Sequence, residues 1–141
     1  MEDYKCECGF ELWNPIVSHK DSLLSCSYLS LYDDARFLGR CILSYNEHEE
    51  DFADMDLFDM TAFMSDVQQA GRAIQKATGA ERINYAILGN AVPHVHVHII
   101  PRYGTDPYPK KSPWNHPGKV MSLEEALKYK IIEDIQMQLK E

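Results

Sequence analysis

The stretch His94-Val95-His96-Val97-His98-Ile99-Ile100 decides how this chain is interpreted, because histidine alternates through it with aliphatic residues. Three of the six histidines lie within five residues; a shuffled sequence would show that spacing in under about 1% of cases. Side chains two apart in a strand share a face. The pattern therefore predicts a strand over 94–100 that ends at Pro101, with three imidazoles in a row and the aliphatic side chains in the core.

Two further strands and one long helix are predicted upstream of the histidines. The β-prone runs Ser27–Leu31 and Cys41–Tyr45 flank a polar turn, a pattern typical of two antiparallel strands joined by a loop. Between Asp54 and Gly79, apolar residues recur with the spacing of one helical face. This spacing predicts an amphipathic helix with Asp54 or Asp56 as its N-cap and Gly79 at its end.

The remaining segments complete an α+β pattern. The run 82–88 is β-prone and is followed by a turn. Five of the seven prolines lie in 101–119, where we expect an extended segment. Ser122 and Glu125 form a capping box that predicts a final helix over about 122–140. Strands before and after one long helix indicate an antiparallel sheet with helices packed on it.

Length and charge exclude several classes of protein. The chain has 141 residues and a formal net charge of −8, so one domain over 1–141 is expected, and it needs no disulfides to build a core. An acidic chain lacks the positive field that drives non-specific nucleic-acid binding. No apolar run approaches the roughly 20 residues of a membrane span, and Met1 to Lys5 do not resemble a signal peptide. We expect a cytoplasmic protein without nucleic-acid or membrane partners.

The histidine row permits three interpretations. A polar strand face explains one histidine more easily than three in register. Imidazoles two residues apart can bind a metal ion, but the first and third Cα atoms would be roughly 13 Å apart, so three cannot easily reach one ion. Phosphate chemistry uses all three: the central imidazole attacks phosphorus and its neighbours donate hydrogen bonds to phosphoryl oxygens. The attacking ring needs its far nitrogen held as N–H by an acceptor, which a backbone carbonyl could provide.

The four cysteines give a weaker signal. Cys6, Cys8, Cys26 and Cys41 include no C-x-x-C pair, and in a reducing compartment they are most simply thiols. A zinc half-site at Cys6 and Cys8 would need a second ligand pair, to which His19 or Cys26 could contribute. We therefore predict no metal or cofactor, while the Cys6 and Cys8 question stays open.

The residues around the histidines resemble the histidine triad family. Its signature, His-φ-His-φ-His-φ-φ with φ hydrophobic, is matched at all seven positions of 94–100. The stretches 82–103 and 33–43, with Trp114, are similar to the bacterial branch described as diadenosine-tetraphosphate-hydrolase-like, so the likeness covers roughly 25–115. It implies an antiparallel sheet of about five strands, a homodimer, and hydrolysis or transfer at an α-phosphate through a covalent nucleotidyl-histidine.

The resemblance also assigns roles to individual residues. It makes His96 the nucleophile, His98 an α-phosphate contact and His94 a supporting residue whose backbone carbonyl orients His96. The ribose contact falls on Asp34 or Asp33, of which Asp34 is favoured. Asn90 sits where relatives contact phosphate.

Several positions stay open. Arg102 is a possible phosphate contact. Arg40 stands where many relatives have a fourth histidine, and Trp114 could cover the base or fill a dimer groove. The leading hypothesis is an enzyme that acts on dinucleoside polyphosphates or nucleoside phosphoramidates, and the alternative is a non-catalytic nucleotide-binding or interaction protein.

Overall fold

One antiparallel sheet organises the chain, and its strands come from both halves of the sequence. The computed structural model describes residues 5–140. Residues 1–4 and 141 lie outside it, including most of the amino-terminal stretch on which the signal-peptide expectation rests. The elements in chain order are β1 (Pro15–Ser18), β2 (Ser27–Leu31), β3 (Cys41–Tyr45), α1 (Leu57–Thr78), β4 (Arg82–Ala86), β5 (His96–Arg102) and α2 (Glu125–Leu139).

The sheet confirms the predicted fold class. Its five strands follow the order β1-β2-β3-β5-β4, and every neighbouring pair is antiparallel. The predicted strands Ser27–Leu31 and Cys41–Tyr45 are β2 and β3 with those bounds, and they pair along their full length. The short edge strand β1 was not predicted.

The long helix begins and ends where local signals predict. Asp56 is the N-cap, and its side chain accepts from the Phe58 backbone N–H; Gly79 ends the helix in the left-handed conformation with φ of 71°. Gly71 lies inside the helix under the Tyr85 ring, whose hydroxyl occupies the space that a Cβ would take. This close approach brings α1 directly onto β4.

Both helices lie on one face of the sheet. Residues of α1 and α2 pack with Leu29, Leu43, Val97 and Ile99 in one buried cluster. The prediction that Val95, Val97 and Ile99 face the core is confirmed, since each is at most 4% exposed. Because side chains alternate along a strand, His96 and His98 lie on the opposite face. Neither α1 nor α2 lies on that face, which carries the candidate site.

The histidine strand is shifted relative to the prediction. The structure places β5 at His96–Arg102, so His94 and Val95 precede it and Pro101 lies inside it. Proline is tolerated there because Ile99, opposite Cys41, is the last residue of β5 that pairs with β3. From that point the strand pairs only with β4, which is also shorter than predicted and ends at Ala86.

The final helix begins two residues later than the capping box predicts. Glu124, not Ser122, is the N-cap of α2, and its side chain makes no capping hydrogen bond. The Leu123 backbone N–H instead donates to Asp33 Oδ1 over 2.7 Å, and Ala35 N–H donates to the Met121 carbonyl. These tertiary bonds hold 121–123 outside the helix, which overrides the local helix signal. Within 5–140, neither helix has the length and apolarity that crossing a bilayer requires.

Candidate active site

Two imidazoles stand side by side on the open face of the sheet. His96 and His98 lie opposite Ser44 and Ile42 of β3, and their ring centroids are 5.2 Å apart. His96 is 8% exposed and lines a cavity, and His98 is partly buried. The rigid centre of the sheet therefore fixes the spacing between the two rings.

A backbone carbonyl orients the central histidine. Nδ1 of His96 lies 2.6 Å from the carbonyl oxygen of His94. A carbonyl only accepts, so Nδ1 carries the proton and Nε2 keeps its lone pair. This leaves Nε2 in the state that nucleophilic attack requires.

The His94 side chain does not join the row of imidazoles. It is fully buried, its Nε2 contacts the Tyr45 carbonyl oxygen at 2.9 Å, and its ring stacks on Phe10 with centroids 4.6 Å apart. Burial lowers the pKa of His94, while the bond to the Tyr45 carbonyl opposes that shift. The strand starts after His94, so its side chain faces the amino-terminal turn and only its carbonyl reaches His96.

A cavity of about 440 Å³ opens next to His96. Its walls come from the segment 9–14, the face of β2 and β3, and the approach to α2. Its lining residues include Phe10, Trp13, Leu31, Ile42, Asp33 and Val120. A mainly apolar cavity whose wall carries two carboxylates, Glu11 and Asp33, suits a flat, partly polar ligand.

The two neighbouring aspartates have different surroundings. Asp34 is fully buried, and its carboxylate accepts from the guanidinium groups of both Arg36 and Arg40 at 2.9–3.0 Å. Burial opposes ionisation of Asp34, but the bonds from Arg36 and Arg40 outweigh it and lower the pKa of the carboxyl. Asp33 is only partly buried and lines the cavity, where one of its oxygens binds Leu123 N–H. Asp33 therefore has an oxygen available to a ligand, although the sequence favours Asp34.

Arg40 connects the aspartate cluster to His98. Its Nη1 donates to Asp34 Oδ2 over 2.9 Å, and its Nη2 lies 3.3 Å from His98 Nδ1. Burial, followed by the charges of Arg40 and His96, lowers the pKa of His98 to about 4. His98 is therefore neutral at physiological pH.

The other predicted residues lie around this centre or away from it. Arg102 is 6% exposed, and its guanidinium donates to Asp106, Asn84 and the carbonyls of Tyr108 and Lys111. Those bonds organise the proline-rich segment and use four of the five guanidinium N–H donors, while a phosphate contact by Arg102 stays a prediction. Asn90 is exposed in the loop before His94. Trp114 is 55% exposed with its ring centroid 6.1 Å from that of His98.

A second cluster lies on the other side of His94. One ligand atom each of Cys6, Cys8, His48 and His94 falls within 4.8 Å of the other three. Cys6 Sγ is 3.3 Å from His48 Nδ1, and Cys8 Sγ is 3.5 Å from His94 Nδ1. The sequence identified the cysteine pair but looked to His19 or Cys26 for partners. Separations of 42 and 86 residues carry no local signal for the histidines that the fold supplies.

Comparisons with known proteins identify the family. The HIT domain model matches residues 27–105, so this chain belongs to the HIT domain family. A histidine triad (HIT) protein from Sinorhizobium meliloti 1021 has 27% identity and a TM-score of 0.77, with 89% of each chain covered. No curated protein matches.

Two more distant structures share the fold. A Zn-bound histidine triad family protein from Mycobacterium smegmatis has 18% identity and a TM-score of 0.62, with 87% of this chain and 84% of that chain covered. A diadenosine triphosphate hydrolase from Plasmodium falciparum, in complex with Cyclomarin A, has 16% identity and a TM-score of 0.61, with 98% and 82% covered.

Proposed function

We propose that this protein is a nucleotide hydrolase or nucleotidyl transferase that acts at an α-phosphate through a covalent bond to His96. The observation that carries the proposal is the 2.6 Å contact between His96 Nδ1 and the His94 carbonyl, which leaves the Nε2 lone pair free beside a cavity. Dinucleoside polyphosphates and nucleoside phosphoramidates are the substrate classes that the sequence resemblance implies.

The cavity suggests how a nucleotide would lie. Its apolar part, with Trp13 and Phe10, suits a base. The free oxygen of Asp33 can accept from ribose hydroxyls, so we assign the ribose contact to Asp33 in place of Asp34. The α-phosphate would then lie beside His96 and His98. The exposed ring of Trp114 borders the same place.

The proposed reaction has two displacements at phosphorus. In the first, the Nε2 lone pair of His96 forms a P–N bond while the bond from phosphorus to the leaving group breaks and its electrons leave with that group. In the second, water forms a P–O bond, the P–N electrons return to Nε2, and a proton from water is released to solvent. The product is a nucleoside monophosphate.

The test compares wild type with His96→Ala on diadenosine tetraphosphate and on an adenosine phosphoramidate. We expect His96→Ala to lose turnover by at least about a thousandfold while still binding AMP. His19→Ala, at a histidine outside the site, is the matched control and should keep its turnover. Mass spectrometry of a trapped adduct should find AMP on the peptide that contains His96.

Two results would contradict this function. Equal turnover by His96→Ala and wild type would remove His96 from the mechanism. AMP binding by a wild type that turns over neither substrate would favour the non-catalytic nucleotide-binding protein.

We also propose a homodimer formed through β4 and the adjacent face of α1. In the part of the chain that the structure describes, β4 is an edge strand, so one row of its backbone groups pairs with no other strand. Tyr85, Ile87 and Leu88 add exposed apolar surface on or directly after that strand. Light scattering at micromolar concentration should give twice the 16.2 kDa chain mass; a monomer would contradict the proposal.

We further propose that Cys6, Cys8, His48 and His94 bind one structural Zn²⁺. A tetrahedral zinc ion with sulfur and nitrogen ligands sets S···N edges of about 3.6 Å. The two S···N contacts of 3.3 and 3.5 Å fit that geometry. His94 also has the ordinary environment of a ligand histidine, because its Nε2 contacts a backbone carbonyl while its Nδ1 faces Cys8 Sγ inside the cluster.

This zinc would fasten the amino-terminal turn to the site. Cys6 and Cys8 lie in a turn that is closed by Cys6 N–H to the Phe10 carbonyl, and the residues just after it form a wall of the cavity. We expect about one zinc per chain after purification, and a thermal midpoint that falls when a chelator removes it.

The matched variants for the zinc proposal are Cys8→Ser and Cys26→Ser. Cys26 lies outside the cluster, so Cys26→Ser should keep the metal, while Cys8→Ser should lose most of it. Equal zinc content in the two variants, or no uptake by wild type on reconstitution, would overturn the zinc proposal without affecting the proposed hydrolase.

A further inference from the structure

Arg40 is a buried cation with an unusual set of partners. It is 6% exposed, its guanidinium carbon lies 3.9 Å from the centroid of the Tyr32 ring, and its Nη1 binds Asp34. Asp34 also accepts from Arg36, so two guanidinium groups share one carboxylate and the cluster carries a net positive charge. Among the described residues, Arg40 Nε has no hydrogen-bond partner. Asp34 therefore does not fully neutralise or satisfy Arg40, whose remaining Nη2 contacts His98.

The contact with His98 determines a proton position. A guanidinium has five N–H donors and no acceptor, and it does not lose its proton in proteins. Since Arg40 Nη2 lies 3.3 Å from His98 Nδ1, that nitrogen must be the acceptor. The ring proton of neutral His98 is then on Nε2, which makes His98 a hydrogen-bond donor from its other side.

We infer that Arg40 is a positioning residue that fixes His98 as the Nε2–H tautomer and thereby gives the enzyme a preference for phosphoric anhydrides over phosphoramidates, an inference that rests on the proposed function. The neutral N–H of His98 can stabilise charge on a phosphoryl oxygen. It is a poor acid, because giving up its only proton would leave an imidazolate.

The two substrate classes differ in their need for a proton. When His96 displaces a nucleotide from an anhydride, the P–O electrons stay on a phosphate oxygen, and the leaving group departs as a stable anion. When His96 displaces an amine from a phosphoramidate, the P–N electrons stay on nitrogen, which must take up a proton to leave as a neutral amine. A protonated imidazole could supply that proton, and His98 held by Arg40 cannot.

The other groups around His98 also disfavour its protonation. The titratable groups that face its ring are His96 on the same strand, Arg40 before β3 and Tyr32 after β2, with Asp34 and Arg36 behind Arg40. Trp114 covers another side. Burial and the nearby cation disfavour a second proton, in agreement with the lowered pKa of His98.

The test measures kcat/KM for diadenosine tetraphosphate and for an adenosine phosphoramidate in wild type, Arg40→His and Arg36→Gln. Arg40→His replaces the fixed guanidinium donor with an imidazole that can exchange a proton with His98. The ratio of kcat/KM for the phosphoramidate to kcat/KM for diadenosine tetraphosphate should therefore rise by at least about tenfold. Arg36→Gln removes the same charge without touching His98, and should keep the ratio within about twofold of wild type.

A second measurement reads the tautomer directly. Long-range ¹H–¹⁵N correlation spectra, with His98 assigned by its absence from His98→Ala, should show the Nε2–H form of wild type between about pH 6 and 8. An Nδ1–H tautomer or an imidazolium would overturn the inference, and so would equal substrate ratios in wild type and Arg40→His. If wild type turned over neither substrate, the proposed function itself would be rejected.

Discussion

The Nδ1 atom of His96 meets the backbone oxygen of His94 at 2.6 Å, while the His94 side chain is turned towards Tyr45 and Cys8. The backbone carbonyl of His94 therefore belongs to the candidate active site, while its side chain belongs to the cluster with Cys8. The acceptor that orients the proposed nucleophile survives any ordinary substitution of the His94 side chain.

His94→Ala is expected to reduce kcat far less than His96→Ala. The variant keeps the carbonyl that accepts from His96, but it loses the ring packed on Phe10 and, with it, one of the four proposed zinc ligands. We expect a fall in kcat of about tenfold, against at least about a thousandfold for His96→Ala. Steady-state kinetics of the two variants at matched folded fraction check this. A similar loss in both would mean that the His94 side chain itself takes part in the reaction.

Trp13→Ala is expected to weaken nucleotide binding without affecting stability. Trp13 is 69% exposed and lines the cavity beside His96, so it contributes contact area to a ligand and little to the core. Loss of an aromatic contact of about 1 kcal/mol predicts a roughly fivefold rise in the Kd for AMP. Titration calorimetry measures it. The control, Tyr129→Ala on the exposed side of α2, should leave the Kd unchanged.

Stability is expected to fall on mild acidification, and His98 should contribute to that loss. Its pKa in the folded protein is about 4, below the value of ~6.5 for an unperturbed histidine. Between these values the unfolded chain binds more protons, so the free energy of unfolding falls as the pH is lowered through the window, by at most ~1.4 kcal/mol per pH unit.

Urea unfolding of wild type and His98→Asn at about pH 7 and about pH 5 checks the pH prediction. When the pH is lowered from about 7 to about 5, the free energy of unfolding should fall more in wild type than in His98→Asn. The lowered pKa of His94 also reduces the free energy of unfolding at low pH, but it does so in both proteins and cancels in the comparison. Parallel pH profiles would contradict the prediction.

Asp66→Ala is expected to be strongly destabilising. This carboxylate is 2% exposed and accepts four hydrogen bonds, from the backbone N–H and hydroxyl of Ser25, the backbone N–H of Cys26 and the hydroxyl of Ser27. The substitution leaves these donors unpaired, and we expect a loss of about 3 kcal/mol in the free energy of unfolding. Asp54→Ala, at an exposed aspartate, should stay within about 0.5 kcal/mol of wild type. Equal urea midpoints for Asp66→Ala and Asp54→Ala would contradict this prediction.

Local signals predicted much of the fold because the determinants are local. Asp56 and Gly79 fix the ends of α1 by their own side chain and backbone conformation. The alternation of Val95, Val97 and Ile99 fixed the face of β5 even though the strand starts later than predicted. The capping box at Ser122 misled because a distant carboxylate, that of Asp33, binds the backbone there.

The candidate site was predictable in outline and not in detail. The spacing of His96 and His98 follows from strand geometry, so it could be read from the sequence. The choice between Asp33 and Asp34 could not, because it depends on which carboxylate the folded chain surrounds with Arg36 and Arg40. The proposed metal ligands are brought together from distant positions, and no spacing rule covers them.

Part of the wall of the cavity beside His96 comes from segments of the chain that the family model does not match. That model covers residues 27–105, whereas one wall is built by 9–14 and another includes Val120. A fragment trimmed to the matched segment would retain every histidine of the triad and lose the walls that enclose a ligand. Selectivity in such proteins can therefore diverge in the flanking sequence while the reactive strand stays the same, and substrate screens need the flanks included.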